Sequence, residues 1–107
     1  MSRQQTSGRV AGANVARRKL HRIVKESVDR LDPIGLLAIG CPDDEYAPEI
    51  KRIAQRLVTA KTLSLDIVQT ILHETFVEFF DHRLAGSRDR YREAAREIMQ
   101  QLEALCS

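Results

Sequence analysis

The chain is short of the residues that punctuate or staple a fold, with five glycines, three prolines and two cysteines, and it contains no long hydrophobic run. Each shortage excludes something. Crossing a bilayer takes about 20 consecutive apolar residues, and no stretch approaches that length. Residues 1–14 also lack the apolar centre of a secretory signal, so the chain is expected to be cytoplasmic with no membrane partner. Cys41 and Cys106 share no metal-ligand spacing, and two cysteines in such a chain read as reduced thiols rather than a disulfide framework. With glycine and proline scarce, 43% apolar and 30% charged residues describe a folded, helical chain rather than a disordered one. A length of 107 residues is enough for one domain with one core.

The motifs of covalent and phosphate chemistry are missing as well. There is no Gly-x-Ser-x-Gly and no glycine-rich phosphate loop, and neither cysteine has a base near it in sequence, so no enzyme and no cofactor is expected. Glu74, Glu78 and His82 fall at i, i+4 and i+8, a row that permits half of a metal site. A bundle site, however, draws matching ligands from facing helices, and no Glu-x-x-His occurs, so the row reads as a solvated flank. Asp43-Asp44-Glu45 lacks the alternating ligands and central glycine of an EF-hand loop. His21 and His73 stand alone and carry no assigned role.

What is present is charge segregation and helical periodicity. The net charge of +2 conceals eight Lys or Arg against two acids in residues 1–30, followed by five acids and no base in residues 32–50. Residues 1–12 are polar and aperiodic, and are expected to form a flexible basic tail ahead of a single helical domain over 13–107. From Asn14, a suitable N-cap, Leu20, Ile23, Val24, Ser27, Val28 and Leu31 recur at steps of three and four, predicting a first helix to Leu31. Pro48 suits the first turn of a second helix carrying Ile50, Ile53, Ala54, Leu57 and Val58 to about Ala60. Ser64 caps a third, more hydrophobic and central helix through Leu65, Val68, Leu72, Phe76 and Phe79 to about His82. Ala85-Gly86-Ser87 breaks it, and Tyr91, Ala94, Ala95, Ile98, Met99, Leu102 and Leu105 mark a fourth. Short loops between four amphipathic helices predict an all-α, compact four-helix bundle.

The segment Leu31–Tyr46 is least explained by helix packing. Asp32, Pro33, Ile34 and Gly35 match a type I turn, with Asp at i, Pro at i+1 and Gly at i+3. Leu36, Leu37 and Ile39 are expected to fold over the end of the bundle as a lid, since leaving each in water forfeits about 1.5–3 kcal/mol. Asp43, Asp44 and Glu45 stand before the second helix, where its free N–H groups and dipole favour carboxylates, so capping is their plain role.

Asp-Pro-Ile-Gly followed by Pro-x-Asp-Glu-Tyr, then two helices of which the second ends in a Phe-Phe pair, resembles a family of small helical bacterial proteins. That family includes immunity proteins that neutralise a cognate toxin. The resemblance spans about residues 28–82, through Asp32, Pro33, Ile34, Gly35, Pro42, Asp44, Glu45, Tyr46 and Phe80. The chain departs from the pattern in Leu31, where relatives often carry tryptophan, in its basic N-terminal sequence and in its longer last helix. It implies a non-enzymatic partner-binding protein that occludes a basic site, such as that of a nuclease, with Asp43, Asp44, Glu45 and Tyr46 on the contact surface. A second reading takes Arg17, Arg18, Lys19, Arg22 and Lys25 as a phosphate-binding face for nucleic acid, although no aromatic residue accompanies them. A third is self-association through Val77 or Phe80 on the third helix.

Overall fold

The structure, a computed structural model, describes residues 17–41 and 45–106. Residues 1–12, Asn14, Asp43 and Asp44, to which the sequence assigns a tail, a cap and two contact residues, lie outside the described residues.

Four helices follow the four apolar stripes: α1 Arg17–Leu31, α2 Ala47–Thr59, α3 Leu65–Ala85 and α4 Arg92–Cys106, with a short 3-10 helix at Arg88–Tyr91. α1 buries Leu20, Ile23, Val24, Ser27 and Val28, the three-and-four spacing that places side chains on one face. It ends where the chain meets proline. The Asp32 N–H still bonds the Val28 carbonyl at 2.8 Å, but Asp32 turns to φ 48°, a left-handed conformation that Asp tolerates better than most residues. Pro48 sits in the first turn of α2 as expected, and Ser64 caps α3, its hydroxyl accepting from the Ile67 N–H at 3.2 Å.

The regular part of α3 ends beside His82, as expected: its backbone breaks at Asp81, at φ 76° and ψ 171°, and a further helical turn, not foreseen, then runs to Ala85. Asp81 re-caps the resumed turn, with Oδ1 accepting from the N–H groups of Arg83 (2.9 Å) and Leu84 (3.1 Å). Gly86 closes the turn at φ 81°, its N–H bonding the His82 carbonyl. On α4 the apolar stripe is buried from Tyr91 to Leu102, whereas Leu105, expected to continue it, is half-exposed.

Each helix packs against two neighbours: α1 against α2 and α4, and α3 against α2 and α4. The bundle is therefore an up-down-up-down square, and α3 occupies a corner rather than the centre. Among the described residues, nineteen buried hydrophobic residues form one core, each large aliphatic adding about 1.5–3 kcal/mol. Toward the end that carries the two long connections the core is aromatic. Phe76 lies 5.7 Å from Tyr46 edge-on, and stacks with Phe80 at 5.9 Å and Tyr91 at 5.7 Å.

Candidate functional site

The connection between α1 and α2 is held by two side chains fourteen residues apart. The Asp32 carbonyl accepts from the Gly35 N–H at 3.0 Å, the closing bond of the turn expected there, and Pro33 is buried at its corner. The Asp32 carboxylate reaches further than a turn residue normally does. Its Oδ1 accepts from the Leu37 N–H (3.0 Å) and the Tyr46 hydroxyl (2.6 Å), and its Oδ2 from the Ala38 N–H (2.9 Å). The Tyr46 oxygen in turn accepts from the N–H groups of Ile34 (3.2 Å) and Leu36 (3.3 Å). Backbone bonds from Gly40 to Leu37 and from Cys41 to Leu36 complete the loop.

The electrostatics follow the geometry. Burial pushes the Asp32 carboxyl upward, but the hydrogen bonds from Tyr46, Leu37, Ala38 and Leu36 outweigh it and hold the group below its ordinary range. Tyr46 is raised to about 12, first by burial and then by its bond to Asp32. Tyr46 is fully buried. The expectation that it contributes to a contact surface is therefore corrected: its ring packs on Phe76 and its hydroxyl is consumed inside the loop, leaving nothing to offer a partner.

The lid is also only partly a lid. Leu36 and Leu37 pack against the core, but Ile39 is 76% exposed. Gly40, at φ 94°, reverses the chain, so Ile39 stands at the tip of the loop with Ala38 and Gly40 exposed beside it. Glu45 is exposed as expected, whereas the N-cap of α2 is Tyr46, with no side-chain cap bond. Glu49, in the first turn of α2, is 5% exposed, and its Oε1 has no hydrogen-bond partner. Burial raises its pKa and the Glu45 charge adds to this, while its own backbone N–H opposes both.

A second knot, not foreseen from the sequence, joins this loop to the α3–α4 connection. Arg90 Nη1 donates to the carbonyls of Pro33 (2.7 Å), Leu84 (3.1 Å) and Ala85 (3.2 Å). The Tyr91 hydroxyl donates to the Ala85 carbonyl at 2.5 Å, and its pKa is raised to about 12 by burial. Arg88 bonds Asp66 and Thr70, and the buried Gln69 amide donates to the Arg88 carbonyl. Tyr91 was legible as part of an apolar stripe, but no motif announces the acceptors of Arg90.

The remaining candidates separate. His73 Nε2 donates to the Gly86 carbonyl at 3.0 Å, a satisfied structural histidine. Glu78 pairs with Arg56 at 2.9 Å, and the break at Asp81 takes His82 out of the Glu74–Glu78 row. Among the described residues no cluster of three or more His, Cys, Asp or Glu is placed to hold a metal ion. Val77 and Phe80 are half-buried against the core rather than free for self-association. Of the basic residues, Arg17, Arg18, Lys19 and Arg22 are exposed, whereas Lys25 is half-buried with its Nζ 2.6 Å from Asp29. At about 100° per residue, Lys19 lies on the far side of α1 from Arg17, so the five do not form one patch. No helix is long and apolar enough to cross a membrane, among the described residues. Compared with known proteins, the chain matches no family model, no curated protein and no solved structure.

Proposed function

We propose that this chain is a non-enzymatic, cytoplasmic protein-binding module of the immunity type, whose α1–α2 loop docks on a basic site of another protein and covers it. The observation that carries this reading is Ile39, a large aliphatic 76% exposed at the tip of a loop whose backbone is tied before it at Leu37 and Ala38 and after it at Gly40 and Cys41. A side chain held out by an ordered loop loses little further freedom on binding, and an apolar anchor of that kind is what dominates binding energy at interfaces. The sequence beside it supplies the sign of the partner. Asp43, Asp44 and Glu45 lie within six residues of Ile39, and residues 32–50 contain no Lys or Arg, so a basic surface is the complementary one.

The test is capture of the tagged protein from lysate of its host, with mass spectrometry of the bound material and circular dichroism of each variant. One stoichiometric protein with a basic active site is expected, bound about 30-fold more weakly by Ile39→Asp, as for an interface hot spot, and also weakened by Asp44→Lys/Glu45→Lys. Equal binding by folded variants contradicts the proposal.

A further inference from the structure

Along the side of the bundle, the first two turns of α1 and residues 51–58 of α2 border a cleft of about 130 Å³, with the exposed Arg17, His21 and Lys51 at its rim and the half-buried Ala54 and Val58 at its floor. A second depression of about 340 Å³ shares Arg17 and Gln55 with the first and adds Arg52 and Arg56. The two depressions meet at Arg17 and Gln55, and together, as a trough, they border α2 from Lys51 to Thr59, about 12 Å at 1.5 Å per residue. Its rim holds four permanent cations and one histidine. Glu78 is engaged by Arg56 at 2.9 Å and stands 3.9 Å from Arg52, and among the described residues Arg17 and Lys51 form no ion pair.

We infer that this trough binds the sugar-phosphate backbone of a nucleic acid without reading its sequence. Spaced cations along an open groove match a line of phosphates, and such binding is driven by the release of condensed counterions. Among the described residues no Phe, Tyr or Trp lines the trough, so base stacking is limited to the His21 ring and selectivity among sequences is weak. A lipid surface fits less well, because the exposed large apolar residues, Ile39, Phe79, Leu84 and Leu105, all lie outside the trough. This inference does not rest on the loop-docking proposal, since no residue of the α1–α2 loop lines the trough.

The experiment is fluorescence anisotropy of a labelled, mixed-sequence, 20-nucleotide single-stranded DNA titrated with the full chain at several salt concentrations. Arg17→Glu/Lys51→Glu is compared with Arg83→Glu/Arg92→Glu, an equal charge change at exposed positions away from the trough. Wild type is expected to bind with an affinity that falls steeply with salt. The trough variant should lose at least tenfold and its log–log salt slope should shrink by about two, one for each lost phosphate contact. The control should lose less than threefold, and Ile39→Asp should bind as wild type does. No binding at low salt, or equal loss in the two charge variants, overturns the inference. So does light scattering that shows salt-sensitive chains of the protein itself, with the acidic loop of one copy in the trough of the next.

Discussion

Two regions of this bundle are built on opposite principles. At the loop end, both long connections are tied into one body: Asp32 and Tyr46 hold the α1–α2 loop, Tyr91 holds the α3–α4 turn, and Arg90 bonds both. Away from the loop, the charges of the trough lie on an open surface, where Arg56 and Arg52 share Glu78 and Arg17 and Lys51 stand exposed. Hydrogen bonds that satisfy buried groups are costly to remove, because the orphaned partner keeps its desolvation penalty. Exposed charges cost almost nothing to change and act at a distance. Substitutions in the first region should therefore alter stability, and in the second they should alter association.

The largest effect is expected from Asp32→Ala. It strips an acceptor from the Tyr46 hydroxyl and from two backbone N–H groups, and places alanine at φ 48°. A loss of about 3 kcal/mol in denaturant unfolding is expected. Gly86→Ala should cost about 2 kcal/mol, since φ 81° with an extended ψ is a glycine conformation and the new Cβ would meet the Arg90 guanidinium at 2.5–2.8 Å. The two tyrosines sharpen the contrast between the knots. Tyr46→Phe removes one of the donors to Asp32, leaves the N–H groups of Ile34 and Leu36 without their acceptor and should cost about 2 kcal/mol, whereas Tyr91→Phe removes one bond to a carbonyl and should cost about 1 kcal/mol.

Acidity offers a finer division of the same end. The folded pKa of Asp32 is lowered, so its contribution is full above the ordinary carboxylate range and is lost as pH falls through the folded value. Glu49 has the opposite sign. Its pKa is raised above 4.5, so its contribution is full below that value and is lost as pH rises through the folded one. Acid unfolding curves should show Asp32→Asn flattening the fall in stability at low pH and Glu49→Gln flattening the change just above it. At the alkaline side both tyrosines of the chain are buried and shifted from 10 to about 12. Their stabilisation is full below 10 and fades toward 12, so an ultraviolet titration should show no phenolate near 10 until the protein unfolds.

The sequence made the helices legible because burial on a 3.6-residue period leaves a stripe that needs no partner to be seen. The turn at Asp32–Gly35 was legible for a similar reason, since its chemistry is local. The pairing of Asp32 with Tyr46 was not: each residue has a sufficient local explanation, one as a turn residue and the other as part of an acidic surface run, and only the fold brings them to 2.6 Å. Ile39 misled because an aliphatic residue is expected to be buried, while the reversal at Gly40 turned it outward. The apolar stripe of α3 gave out near His82, but the turn that resumes after Asp81 leaves no trace in Phe80-Asp81-His82-Arg83, which contains neither glycine nor proline. The trough was half visible, as a basic first helix, but Lys51, Arg52 and Arg56 join it only once α2 folds back along α1.

The claim on which the account rests is that the α1–α2 loop is ordered by Asp32 and Tyr46 before any partner arrives. Native-state amide hydrogen exchange at Ile34, Leu36, Leu37 and Ala38 measures it directly. The account predicts that these four amides are protected in the wild-type protein and lose protection in Asp32→Asn while the core amides of α1 and α3 keep theirs. Exchange of the four at unprotected rates in the wild type would contradict it.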